Sequence, residues 1–516
     1  MKKAIRTVSQ YWFVILQSLL VLVVLVLLWS VGDDPWQPVA WLRLDALSAF
    51  FMLVTGVGVA LAITKQNIAT LRLYRIWLPL ICLLSGYITT LLPVMVGAYV
   101  LLALFTLAND KLSVQLKPLS FQLVATLLSQ MLRRVPMVLA AVFLCVGYGL
   151  LMVRGPLQYD DRFAGAAMDS LIFWFVLLAA VVPQSRLVSP QSDGYLSVLW
   201  RIAWLYPLVR LYSLGPWNTG WSFATLLLGS AAALWLSLSA LTDSRKEARL
   251  HHVALSYAAL ALAGFGLSTN AGIAAGCYGL LTYVLLASLQ QSDTDSEQAT
   301  QTPSETPATF WSLAPWALSG AIPFTAPFVA AWLLVGATVA GGVGIAAGVA
   351  WLVILLNALS MGLYMAACPV PQWRMPAVVS LVMGVGAPLV VLGAIDPVIK
   401  QLQAGLTVYG DVNIWPWIGL ATRDSGSTPV TAFPTIATAI FMLILSALVY
   451  LLMRLRESFQ PIPVTSQSPD LAETPQHTTD GSPLRLDAMT AFLREEVAWL
   501  RALLGRLDRK SRVDDD

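Results

Sequence analysis

Between Tyr11 and Met453 the chain is built almost entirely from apolar runs of about 20 residues, the length an α-helix needs to cross hydrocarbon. In that solvent every backbone N–H and C=O must be satisfied internally, so such runs can only be helices or closed barrels. Their lengths fit helices. We count about 14 spans by that criterion, near 11–30, 45–63, 74–90, 91–108, 135–153, 168–182, 197–213, 221–241, 250–269, 271–290, 311–335, 339–366, 376–395 and 433–453. The boundary between the third and fourth is soft. Only 11% of residues are charged, against about 25% in soluble domains. The expected fold class is an all-α polytopic membrane protein.

Lys2, Lys3 and Arg6 precede a full-length apolar span, the pattern of an anchor rather than a cleaved signal. If both termini share a side, that side collects sixteen basic residues before the tail, among them Lys65, Arg133, Arg134, Arg201, Arg245 and Arg249. The other side gets six: Arg43, Arg154, Arg162, Arg210, Lys400 and Arg423. The positive-inside rule places both termini in the cytoplasm, which for a bacterial-type cell means a multi-pass inner (plasma) membrane protein. The net charge of +3 is accounted for by this asymmetry and implies no nucleic-acid partner.

Three polar segments divide the chain. The membrane body, residues 1–457, is interrupted by a Ser/Thr/Asp/Glu/Pro linker at 290–309. Residues 458–483 have the composition of a disordered linker. In 484–516, Met489, Leu493, Val497, Leu500, Leu504 and Leu507 recur at helical spacing, an amphipathic helix followed by an acidic tail. The helix 484–510 either lies on the body's own cytoplasmic face, docks a soluble partner, or rests on the membrane surface.

No nucleophile constellation, phosphate loop or metal spacing is present, so no catalytic residue, metal or cofactor is assigned. Cys82, Cys145, Cys277 and Cys368 read as small hydrophobes. The glycines of Gly341–Gly348 read as small-residue helix packing. Asp396 and Lys400 are spaced for an exposed helical ion pair. The stretch Leu318–Val335 is odd: Pro323 and Pro327 must break its helix, yet only Ser319 and Thr325 offer side-chain oxygen. Broken helices in transporters usually aim freed backbone groups at an ion or substrate.

Five blocks, in order, resemble the antiporter-like membrane subunits of complex I, Mrp cation/proton antiporters, membrane-bound hydrogenases and DAB-type inorganic-carbon pumps. They are LRLDALSAFFMLVTGVGVALAI (Leu42–Ile63), LLAAVVPQSRL (Leu177–Leu187), VLWRIAWLYPLVRLYSL (Val198–Leu214), SALTDSRKEARLHHVALSYAALALAGFG (Ser239–Gly266), and the stretch containing Pro323. The resemblance covers roughly 42–395. It implies two inverted five-helix repeats, each with a broken helix, at Pro183 and at Pro323 and Pro327. It also implies a midplane row of Lys, Glu and His for moving protons, and here the chain departs. The family's lysines fall on Leu178, on Ile202 beside Arg201, and on Ala331. A His/Lys pair becomes Tyr283 and Ala287, and no acid lies near Met95–Gly97.

Candidate ion-pathway residues are therefore few. Arg201 either snorkels to cytoplasmic headgroups or substitutes for a relay charge. Arg210 reads as an interfacial anchor or ion-pair partner. His251 and His252 read as a solvated pair or subunit contact, or as a gate for protons. Tyr283 is a core tyrosine or a hydroxyl step. The expected function is a membrane subunit of a proton- or cation-motive complex without the lysine relay. Its host would be an NADH–quinone oxidoreductase- or hydrogenase-like membrane arm, or a CO2/bicarbonate uptake pump. Partners would be other subunits of that complex and the bilayer. The alternatives are a stand-alone transporter of a neutral solute and a membrane anchor for a cytoplasmic partner.

Overall fold

The computed structural model describes residues 35–65, 74–109, 121–154, 170–184, 201–214, 217–243, 246–287, 324–341, 343–365 and 374–402, and single positions at 23, 26, 318, 320, 322 and 444. The expected spans 11–30 and 433–453, the linkers 290–309 and 458–483, and the helix 484–510 lie outside the described residues.

A short hairpin opens the described chain: β1 (Trp36–Val39) pairs antiparallel with β2 (Leu42–Leu44). The expected span begins at 45, and Leu42–Leu44 lie just before it. Asp45 then caps the helix that starts one residue later. The helix α1 (Ala46–Lys65) follows, then α2 (Tyr74–Ile88) and α3 (Leu92–Asn109). The soft boundary between the last two is held by the hairpin: Thr90 N–H donates to Trp41 O at 3.1 Å and its hydroxyl to Ala40 O at 2.9 Å.

The helix α4 (Phe121–Arg154) has 34 residues. At 1.5 Å per residue that is about 50 Å, longer than a hydrocarbon core, so it extends the expected 135–153 span beyond the bilayer. α5 (Ser170–Val181) ends in a 3-10 turn at Val182–Gln184 containing Pro183. α6 (Tyr206–Arg210) runs into a second 3-10 turn, Leu211–Leu214. The helices α7 (Thr219–Thr242), α8 (Lys246–Gly266) and α9 (Asn270–Ala287) form the packed centre. Around them lie α10 (Ala326–Ala340), α11 (Gly344–Met365), α12 (Arg374–Val385) and α13 (Ala387–Leu402). The last two are bent by 77° where they join, and α13 contains a π-turn at Val391–Ile395.

Among the described residues four helices are long and apolar enough to cross a membrane, five with the bent pair. The protein is a multi-pass membrane protein. Of these spans α9 is 89% buried by protein, whereas Pro136–Val153 and Thr219–Thr242 are 44% buried. α9 therefore sits inside the bundle and the other two turn one face to lipid. Their outward side chains, such as Val142, Leu227 and Trp235, are apolar.

Apolar side chains gain little from association when the solvent is also apolar, so close helix contact depends on small residues. A Cβ added at Gly229 on α7 would collide with the backbone of Ala263 on α8. One added at Gly266 would collide with the backbone of Leu226, and one at Gly264 with Gly272 and Gly276 of α9. The expected packing at Gly341–Gly348 is not where the close contacts occur. Gly344 and Gly348 have no atom within 4 Å of a would-be Cβ, because that turn of α11 faces outward. We predict that Gly229→Val lowers stability by about 1–3 kcal/mol through overpacking, whereas Gly348→Ala is neutral or slightly stabilising. Thermal unfolding of the detergent-solubilised protein measures both.

Candidate functional site

The first buried charge is Arg201, on the helical turn before α6, with no solvent-accessible surface. That turn cannot continue as an α-helix. Ala203 O would take its bond from residue 207, a proline with no N–H. Tyr99 supplies the missing donor, its hydroxyl 2.7 Å from Ala203 O. Leu211 N–H turns to Leu208 and Val209, and Tyr148 donates to the vacated Pro207 O at 2.8 Å. Arg201 O is met by Gln184 Nε2, at 2.8 Å, from the 3-10 turn that contains Pro183. Two proline breaks therefore meet at Arg201.

Its guanidinium faces α8. Arg201 Nη1 lies 3.4 Å from His251 Nε2, and Tyr283 on α9 is within its electrostatic reach. The rings of His251 and His252 are 6.1 Å apart, and His252 Nδ1 lies 3.9 Å from Asp243 Oδ2 at the end of α7. Both histidines and Tyr283 are buried. Arg201 thus does not face headgroups, and the histidines are not a solvated pair: α7 and α9 close over α8 and enclose all of them. Tyr283 lies in the core.

A second set lies at the start of α1. Asp45 accepts from Ser48 N–H at 2.9 Å, the bond of an N-cap residue. Its other oxygen is 2.5 Å from Arg210 Nη1 and 3.6 Å from Arg43 Nε. Arg210 is therefore an ion-pair partner, and it is buried rather than interfacial. Tyr206 OH approaches Ser48 Oγ at 3.1 Å and donates to Tyr87 O at 3.0 Å, while Gln401 Oε1 on α13 accepts from Leu47 N–H at 2.8 Å. Asp45 was missed as a site residue. The signal for it was the Asp45-to-Ser48 cap spacing at the head of an apolar run.

The break in Leu318–Val335 has a different character. Gly320 (φ +83°) and Phe324 (φ +66°) are left-handed. A Cβ at Gly320 would strike the Tyr257 hydroxyl, and the bare Gly384 of α12 lets the Phe324 carbonyl approach its backbone. Pro327 sits in the first turn of α10, and Pro323 lies outside the described residues. The freed groups find neutral partners. Ala326 N–H donates to Ser380 Oγ at 3.2 Å, and Ala326 O accepts from Thr282 at 3.3 Å. Thr325 donates to Ile322 O at 2.7 Å. Behind it Asn357 joins Ser237 and Ser256, at 2.9 and 2.8 Å. Among the described residues no group of three His, Cys, Asp or Glu could hold a metal. Asp396 and Lys400 form the expected exposed pair, at 3.2 Å.

No protein-family model and no curated protein matches the sequence. Solved structures do match. A chain of the Mrp complex from Dietzia sp. DQ12-45-1b aligns over 97% of this chain and 57% of its own length, with TM-score 0.63 and 15% identity. This chain spans little more than half of that one. A chain of the membrane-bound sulfane sulfur reductase, an archaeal respiratory membrane complex, aligns over 95% and 88%, with TM-score 0.61 and 16% identity. A chain of respiratory complex I from Thermus thermophilus aligns over 76% and 94%, with TM-score 0.60 and 16% identity. The chain shares its fold with these membrane-complex chains.

Removing one member of a buried ion pair strands the other charge, at a cost of about 3–5 kcal/mol. We predict a loss of that size for Arg210→Met, and partial recovery when Asp45→Asn is added. Unfolding midpoints of the two variants in detergent are the measurement.

Proposed function

We propose that this chain is a membrane subunit of a multi-subunit, proton- or cation-motive assembly, coupling or scaffolding ion movement without a lysine relay. The observation that carries the reading is the near full-length match to chains of the Mrp complex and the sulfane sulfur reductase. Two inverted five-helix repeats, with breaks at Pro183 and at Pro323 and Pro327, belong to this reading, as do cytoplasmic termini in an inner membrane. Among the described residues the buried basic and acidic side chains are arginine, aspartate and histidine, which supports a departure from lysine chemistry. Arginine holds its proton too tightly for ready exchange, so Arg201 is better suited to fix a charge than to pass one.

Within this class we favour two hosts: a quinone- or hydrogenase-like membrane arm, and a two-component inorganic-carbon uptake pump. In either, the helix 484–510 would dock a cytoplasmic subunit. A stand-alone transporter of a neutral solute is the competing reading, and the neutral hydroxyl lining at the Ala326 break favours it locally. A membrane anchor is the third.

Purification in mild detergent separates them. We expect a stoichiometric partner to co-purify with the full chain and to be lost on deleting Leu484–Asp516, while the isolated chain in liposomes moves no ion. Robust solute or ion transport by the isolated chain would contradict the proposal.

A further inference from the structure

The geometry points to the bent pair α12–α13 as a lever that joins the two broken regions. Displacement of the Phe324–Ala326 backbone is carried through α12 and α13 to the Arg210 end of α6. Such a lever serves a subunit of a complex and a stand-alone transporter alike. At one end, the second break lies on the last turns of α12. Ala326 N–H donates to Ser380 Oγ at 3.2 Å, and the backbone of Phe324 and Thr325 rests so close to Gly384 that a Cβ there would overlap the Phe324 carbonyl. Tyr278 of the enclosed helix α9 donates to Met383 O at 2.6 Å. This bond pins α12 to the centre of the bundle just before the chain turns through 77° at Gly386. The π-turn Val391–Ile395 comes after the pin, so the irregular turns fall on the α13 side of it.

At the other end, α13 is held along one face. Val391, Ile395, Val398 and Leu402 recur at helical spacing and each is at most 2% exposed, whereas Leu389 and Leu392 face outward. The helix packs on α9, on α1 and on the 3-10 turn Leu211–Leu214 that continues α6. Its last turn reaches the head of α1, where Gln401 Oε1 accepts from Leu47 N–H at 2.8 Å. The first N–H groups of a helix have no partner within it. Asp45 takes that of Ser48 and Gln401 takes that of Leu47. The Asp45 carboxylate also pairs with Arg210, the last residue of α6. Close-packed elements transmit strain and shift as bodies. A shift of the Phe324–Ala326 segment therefore turns α13 about the Met383 pin and moves the Asp45–Arg210 pair with it. Coupling of this kind is reciprocal, so freeing the Gln401 end loosens the Ala326 end.

Hydrogen–deuterium exchange read by mass spectrometry, on the full-length chain in lipid nanodiscs, follows both ends through peptides covering 206–214 and 324–330. We expect Ser380→Ala to raise exchange severalfold in both peptides, and Ser380→Thr, which keeps the hydroxyl, to leave both near wild type. Gln401→Leu should raise both as well. With Ser380→Ala and Gln401→Leu combined, exchange in 206–214 should be no higher than in Gln401→Leu alone. Ser360→Ala is the control: it removes a similar hydroxyl contact, to Ala240 O at 3.2 Å, that lies off the route, and it should leave 206–214 at the wild-type rate. Four results would each overturn the lever: wild-type exchange of 206–214 in Ser380→Ala, wild-type exchange of 324–330 in Gln401→Leu, additive increases in the double variant, or an equal rise of 206–214 in Ser360→Ala.

Discussion

The structure rests on one constraint: a backbone group that loses its helical partner inside this bundle must find another within the protein. Pro207 takes the donor away from Ala203 O, and Tyr99 returns it. Ser380 and Thr282 do the same for the two sides of Ala326. An unmet buried polar group costs several kcal/mol in hydrocarbon. The positions of these hydroxyls are therefore tied to the positions of the breaks. The buried tyrosines of α2, α3, α4 and α6 are part of the architecture and not filler.

The two broken regions then part company. Around Arg201 the interior is charged, with His251 in contact and Tyr283 within electrostatic reach. Around Ala326 it is neutral, with threonine, serine and asparagine filling every partnership described above. Charge at the first break and its absence among the partners described at the second distinguish the two regions. Coupling needs a group whose charge changes, and the described interior offers histidine for that at the first break alone.

Much of the fold was legible because hydrocarbon length is a strict rule. The spans at 168–182, 221–241, 271–290 and 339–366 recur as helices within a few residues. The break inside 197–213 was hidden because Pro207 reads as tolerable in a helix's first turn, and only the structure shows that α6 starts there. The 77° bend of α12 into α13 was hidden for a related reason: Gly384 and Gly386 matter through what approaches them, the Phe324 backbone in the first case. At the site, residue type was readable but burial was not. Arg201 and the histidines sit at helix ends, where snorkelling is the default, and tertiary closure by α7 and α9 overrides it. The Asp45–Arg210 pair joins residues far apart in sequence, so no local pattern could reveal it.

The central claim is that the Leu318–Ala326 break is a neutral packing feature and that charge work belongs to the Arg201 region. A density map of the chain within its native assembly in lipid tests it most directly. The account predicts Ser380 and Thr282 on the Ala326 backbone, with no bound ion and no Lys, Glu or Asp within hydrogen-bond reach of Gly320–Ala326. An ordered ion there, or a charged side chain reaching it from any segment of the assembly, would contradict the account.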